Sequence, residues 1–516
     1  MSATGELAAP REGLSRRALL GRAAAVGGLV ALAPQLIDPP DAEALTSAAT
    51  HDPNLHLLRR ATYGPTAASL KRIRKIGRHA WIEEQLRPLK IHDAMVDHLL
   101  SSRFPGLKWT IAQANHRVPQ FQWDLMFDLG VANLARACWS QRQLFEVMVD
   151  FWSNHLNVTN PSDSGWNCRH DYDRTVIRAH ALGRFVDMLK ASAKHPAMLQ
   201  YLNNADSSKY EPNENYGREL LELHTVSITG GYNERDMRNS ALIMTGYTLD
   251  WNTTTFRYDP DRHYTGHVKV MKWSSANANA NGYAMAMKYL EYLAHHPSTA
   301  KHIASKLCQH FISDTPPQAF VNHLAKVYLK SGTNITPVLR ELFNSPTFAH
   351  SIGKKVRRPM EDVVATVRTL GLKPDASGKD AMQGLYYLVD DLGNAPAAWP
   401  QPNGYPDEAA SWASAGGMLG RWNAHLSLSA GWWPNLRQPK MESYIPHPLP
   451  KTHGKLVEAL AKRLVFRTLP EKQRNAICGF LGVSANTPLT ADSAAVGWRL
   501  PYVMALILDT PSHGIR

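Results

Sequence analysis

The sequence predicts a mainly α fold: a multi-helix globular bundle with a small β-hairpin insertion and long Pro/Trp-rich loops. Three observations carry this. Apolar residues recur at three- and four-residue steps along most of the chain, while strand-like alternation is confined to 253–273. The stretch Gly393–Pro406 holds four prolines and two glycines, which marks a long ordered loop. The 516 residues are 44% hydrophobic and 20% charged, so the chain can build a core and is not disordered.

The elements follow in order. From Gln141 to Leu156, the residues Leu144, Phe145, Met148, Phe151, Trp152, His155 and Leu156 form an apolar helical face. Phe185, Met188 and Leu189 mark a second helix, ended near His195-Pro196. A third runs from Tyr216 to Ile228 and stops at Gly230-Gly231. Thr253 to Trp273 reads as one hairpin turning at Asp259-Pro260-Asp261. Helices are further expected at Asn281–Ala294, Thr299–Ile312, Pro359–Leu370 and Lys455–Leu469.

Four parts are expected: 1–44, 45–248, the insertion 249–280, and 281–516. In the first, Arg16-Arg17 precede an Ala/Gly/Leu-rich stretch and Ala42-Glu43-Ala44 supplies a small-x-small cleavage pattern. That is a twin-arginine signal peptide, which implies passage through the Tat export machinery to the periplasm, the cell envelope or the exterior. No later stretch reaches the roughly 18 apolar residues of a transmembrane anchor. With 57 Lys+Arg against 44 Asp+Glu the formal charge is +13. An acidic or carbohydrate envelope polymer suits that charge; nucleic acid does not, since no basic block or RNA-binding aromatic signature is present. Cys138, Cys168, Cys308 and Cys478 lack C-x-x-C spacing, so a zinc knuckle is excluded; up to two disulfides could form after export.

Three helices aim an imidazole where a core residue is expected: His155, His224 and His310. Neutral imidazole is the commonest metal ligand, so these three are the candidate ligands of a divalent ion. Carboxylates lie beside them. Glu146, Asp150 and Asn154 form one stripe, and Glu219 and Glu222 are three apart, with Arg218 in pairing distance of Glu222. Asp150 precedes His155, and Glu219 precedes His224, by five residues. Five residues turn an α-helix by roughly 140°, so acid and imidazole face one ion only if the helix is distorted. Asp150, Glu219 and Glu222 are therefore the candidate catalytic acids or outer partners of the ligands, and the five residues are expected in one internal polar cluster.

The run Asn213-Glu214-Asn215-Tyr216-Gly217-Arg218-Glu219-Leu220-Leu221-Glu222-Leu223-His224-Thr225, then Gly230-Gly231-Tyr232, closely resembles the hallmark of the bacterial family called domain of unknown function 1800. His56–Gly64, Phe151-Trp152-Ser153-Asn154-His155, His195–Leu199, Arg357-Arg358-Pro359 and the Trp399–Trp412 loop match in order, with Gly404-Tyr405-Pro406 where Gly-Trp-Pro is usual. Tyr264 follows His263 where the family often has an acid. The resemblance implies a helical, often Tat-exported protein and transfers no activity.

The residues themselves favour a metal-dependent enzyme, a hydrolase before a redox catalyst, in which bound water is activated near neutral pH. Other readings are a metal-free carbohydrate-active protein using paired acids such as Asp150 and Glu219, a non-catalytic envelope or matrix polymer-binding protein, and a haem oxidoreductase with one buried histidine as axial ligand. Trp399, Trp412, Trp422, Trp432 and Trp433 with Tyr405 are a candidate sugar-stacking platform.

Overall fold

The expected helical periodicity is realised in most of residues 52–516, the part of the chain that the computed structural model describes. The twin-arginine signal lies outside the described residues. Helix α1 (Pro53–Ala61) opens the chain, and α2 (Gln143–His155), α3 (Glu214–Glu219), α4 (Pro297–Phe311) and α5 (Pro359–Leu370) carry the polar residues discussed below. Further helices fall at Phe185–Ala193 and Tyr283–Ala294, close to their expected spans. Among the described residues no helix is long and apolar enough to cross a membrane.

Local chemistry sets the ends. Helix α4 begins where Pro297 fixes φ and His296 Nδ1 accepts from the Ser298 amide at 3.2 Å. Helix α3 is capped by Asn213, whose side chain accepts from the Asn215 amide at 2.9 Å. It passes into a π turn, Leu220–His224, and ends there rather than at Ile228. The Thr225 hydroxyl donates to the Leu220 carbonyl at 2.6 Å and takes the bond the next turn would need. Gly217 sits against the helix Glu234–Met244 so closely that a Cβ would lie 2.6 Å from the Ala241 nitrogen.

The insertion is two hairpins, not one. Strand β1 (Tyr247–Asp250) pairs antiparallel with β2 (Thr255–Tyr258), and β3 (Val268–Val270) with β4 (Trp273–Ser275). The segment expected to be the hairpin tip, Asp259–Asp261, instead joins the two: Asp259 accepts from the Asp261 amide and starts a 3-10 turn. A Pro at the turn's start suits a 3-10 segment as well as a hairpin, so composition did not separate them.

The described chain divides into two compact units, 52–439 with 514–516, and 440–513. The stretches flanking the 249–280 insertion thus lie in one unit. Its core includes Trp152, Tyr172, Phe185, Tyr216 and Tyr328, each essentially inaccessible to water. The smaller unit packs helices His453–Leu464, Glu471–Phe480 and Leu500–Leu508 around Leu456, Leu460, Ile477 and Val503. The expected helix to Leu469 stops five residues short, and Phe466 takes a positive φ of 57°. All four cysteines are buried free thiols, so the disulfides allowed by sequence are not formed.

Candidate functional site

The stripe Glu146, Asp150, Asn154 faces one way on α2, and each member has a different partner. Glu146 takes both Arg178 terminal nitrogens at 3.1 and 2.9 Å, while Arg178 Nε bonds Asp173 at 2.7 Å. Asp150 Oδ2 accepts from Arg358 Nη2 at 2.6 Å. Asn154 grips a backbone: Nδ2 donates to the Tyr405 carbonyl at 2.8 Å and Oδ1 accepts from the Tyr405 amide at 2.5 Å. Just past the helix, Asn157 Nδ2 donates to the carbonyls of Trp399 and Gln401. The Phe-Trp-Ser-Asn-His motif thus ends in side chains that hold the Trp/Pro loop by its main chain. Gly404 is required at that grip, since its φ is +70° and a Cβ would stand 2.1 Å from the Asn154 carbonyl oxygen.

Behind the loop lies a buried ion network. His310 Nδ1 meets Asp407 Oδ2 at 2.5 Å, and its Nε2 meets Arg516 Nη2 at 2.9 Å. A guanidinium only donates, so Nε2 is the bare nitrogen and Nδ1–H donates to Asp407. Burial, above all, keeps this imidazole neutral, with Arg516 acting the same way against the pull of Asp407. Arg516 also reaches Glu361 at 2.6 Å, and Glu361 is shared with Arg358 at 3.3 Å. Burial pushes the Glu361 carboxyl up, but Arg516 and Arg358 outweigh it and hold it at about 2. Asp407 is likewise held well below the usual range, despite burial, by His310, Lys355 and Arg358. Lys355 bridges Asp407 at 3.3 Å and Asp314 at 2.6 Å. Such buried charges are tolerated only because each finds a partner.

A cavity of about 300 Å³ opens between α2, α4 and the loop. Asp150, Lys306, His310, Arg358, Trp399 and Tyr405 line it, with the amides of Asn154, Gln309 and Asn403 and the rim carboxylate Glu408. The Trp399 and Tyr405 ring centres are 5.2 Å apart, and Trp412 lies 5.9 Å beyond Tyr405. Of the tryptophan platform expected from sequence, Trp399 and Tyr405 are at the cavity; Trp432 and Trp433 are surface residues, 39% and 40% exposed. Among the described residues Lys306 Nζ makes no hydrogen bond or ion pair, and burial lowers its amine to about 8, with Asp407 opposing.

The three candidate metal ligands do not meet. His155 Nε2 donates to the His224 carbonyl at 3.1 Å, which leaves Nδ1 buried and without a partner. His224 Nε2 is also buried and without one. His302, which sequence reading passed over, stands 5.7 Å from His155 ring to ring and donates to the Leu223 carbonyl. His310 has both nitrogens engaged by Asp407 and Arg516. Among the described residues the ligand atoms of His155, His224 and His310 do not all come within 4.8 Å of one another, whereas metal–nitrogen bonds are about 2 Å. Their donors therefore do not fit one shared ion. Burial dominates all of these imidazoles, holding His224 at about 3, His302 at about 4 and His155 far below its ordinary value.

The expected single cluster of Asp150, His155, Glu219, Glu222 and His224 is likewise divided. Asp150 belongs to the cavity, His155 and His224 to the histidine patch. The π turn carries His224 inward, while Glu219 and Glu222 stay partly exposed on its flank. Glu222 lies 3.9 Å from Arg218, the helix-surface pair expected from spacing. Glu219 has its carboxyl raised, first by burial and then by the Glu222 charge. Sequence reading missed Lys306, Arg358, Asp407 and Arg516. Arg357-Arg358-Pro359 and the Trp/Pro loop were visible as motifs, but nothing in their spacing ties an arginine near 358 to an acid near 150.

Helical packing and a loop-roofed polar cavity define a mainly α protein. The chain belongs to the family described as Protein of unknown function (DUF1800), whose match covers residues 56–514. No curated protein and no solved structure matches it.

Proposed function

We propose that the protein is an exported carbohydrate-active enzyme whose chemistry is done by carboxylates in the Asp150–Trp399 cavity. One observation carries this reading: the cavity joins an internal carboxylate, a rim carboxylate, three amides and an aromatic wall. A sugar ring offers hydroxyl edges and an apolar C–H face, so it needs planar polar groups and an aromatic surface together. Asp150 Oδ2 is fixed by Arg358, and among the described residues Oδ1 accepts no hydrogen bond, so it can serve as nucleophile or base. Glu408, steadied by Gln309 at 3.0 Å, is the second carboxylate. The reading favours these acids over a metal-held water because His310 is committed to Asp407 and Arg516.

The test is release of reducing ends from a panel of polysaccharides by chelator-treated full-length protein. Turnover that persists without divalent ions and falls at least about 10³-fold in Asp150→Asn, with folding intact, is expected. Turnover restored only by a divalent ion, or retained by Asp150→Asn, would overturn it. The export half of the proposal rests on Arg16-Arg17; replacing both with lysine should leave unprocessed protein in the cytoplasm.

A further inference from the structure

The charges lining the cavity are unequal in how far they are satisfied. Arg358 is shared by Asp150 and Glu361. Asp407 is met by Lys355 and His310. Lys306 has no acid within 4.0 Å among the described residues, although it sits on α4 one turn before His310 and lines the same wall. The imidazoles that feel its charge, His155, His224 and His302, are held neutral by burial, so they supply no countercharge. A partly desolvated ammonium without an anion is costly to keep.

We infer that Lys306 is the group that selects an anionic sugar, a uronate or another acid-bearing unit, by pairing with its charge inside the cavity. This rests on the carbohydrate reading of the site and names its substrate class. The ligand's anion gives Lys306 the countercharge it lacks among the described residues, while Trp399 and Tyr405 take the ring face. Neutral sugars would leave Lys306 as it is. Carboxylate and sulfate share the chemistry, so probes must separate them.

The experiment is calorimetric titration of the full chain, at physiological salt, with oligogalacturonate, its methyl ester, dextran sulfate and neutral dextran. Wild type is expected to bind oligogalacturonate or dextran sulfate at least about tenfold more tightly than the uncharged counterpart. Lys306→Met should lose that preference, and Lys306→Arg should recover most of it. Lys301→Met removes an exposed charge from the same helix and should change affinity less than about twofold. Equal losses in Lys306→Met and Lys301→Met, or binding of both anionic polymers no tighter than of their uncharged counterparts, would overturn the inference. The two readings fail separately: anion binding that follows Lys306 without turnover of any polymer contradicts the enzyme, whereas turnover that depends on Asp150 with no acid preference contradicts the role of Lys306.

Discussion

Helix α4 carries two polar regions of opposite character. At its C-terminal end, His310 belongs to a network in which Asp407, Lys355, Arg358, Glu361 and Arg516 each meet an opposite charge or a hydrogen-bond partner. One turn earlier Lys306 has no counterion among the described residues, where His155 Nδ1 and His224 Nε2 likewise have no hydrogen-bond partner. The first region has its charges paired and ties the loop bearing Asp407 to α4, α5 and Arg516. The second has capacity left over. Buried charge alone does not mark a ligand-binding group; a half-buried charge without a partner, facing a cavity, is the better candidate.

The contrast breaks most sharply at Glu361. Glu361→Gln leaves Arg358 and Arg516 short of their shared anion and should cost about 3–5 kcal/mol in urea unfolding. The pH profile follows with a definite sign. A carboxyl at about 2 when folded against 4.5 when free contributes fully above about 4.5 and loses that contribution as the pH falls to 2. Wild type should therefore lose stability steeply across that window and the variant less so. A variant within 1 kcal/mol of wild type would mean that the network is not structural.

Lys306→Met should do the reverse and stabilise the fold by about 1–3 kcal/mol, because it removes a desolvated cation. The Lys306 amine is depressed from 10.5 to about 8, so its penalty is full below about 8 and fades as the pH rises to 10.5. Thermal unfolding of wild type and variant at pH 7 and pH 10 should thus differ more at pH 7. Asp407, His155, His224 and His302 interact electrostatically with the amine, and none of them changes charge in that window.

Asn154→Ala is expected to cost about 1–2 kcal/mol and to speed hydrogen exchange at the Tyr405 amide, whose partner it removes. Unchanged exchange there would show that the loop is held by other means. Smallest of all, Glu219→Gln should stay within about 0.5 kcal/mol, since this acid is partly exposed and outside the cavity. A larger effect would reinstate it as part of the internal cluster.

Much of this fold was legible in the sequence because helical periodicity is local. Helix Pro359–Leu370 falls where the pattern puts it. The hairpin region was recognised but its pairing was not, because Asp-Pro-Asp suits a hairpin tip and a 3-10 joint equally. At the site, Asp150 and the Trp/Pro loop were visible as motifs. What joins them was not: Asn154 and Tyr405 are 251 positions apart, His310 and Arg516 206. The apolar-face histidines were read correctly as buried, yet burial does not say whether three rings point to one place. A backbone carbonyl holds one His155 nitrogen, Asp407 and Arg516 hold both of His310, and the nitrogens left bare on His155 and His224 do not converge with His310.

The central claim, that the Asp150–Lys306 cavity under the Trp399–Glu408 loop is the ligand site, is tested most directly by hydrogen–deuterium exchange of the full chain with and without saturating oligogalacturonate. New protection is expected only in the 399–408 loop and the adjoining turns of α2 and α4, and is expected to be absent in Lys306→Met. Protection centred instead on another surface, such as that around Trp432 and Trp433, or protection unchanged by Lys306→Met, would contradict it.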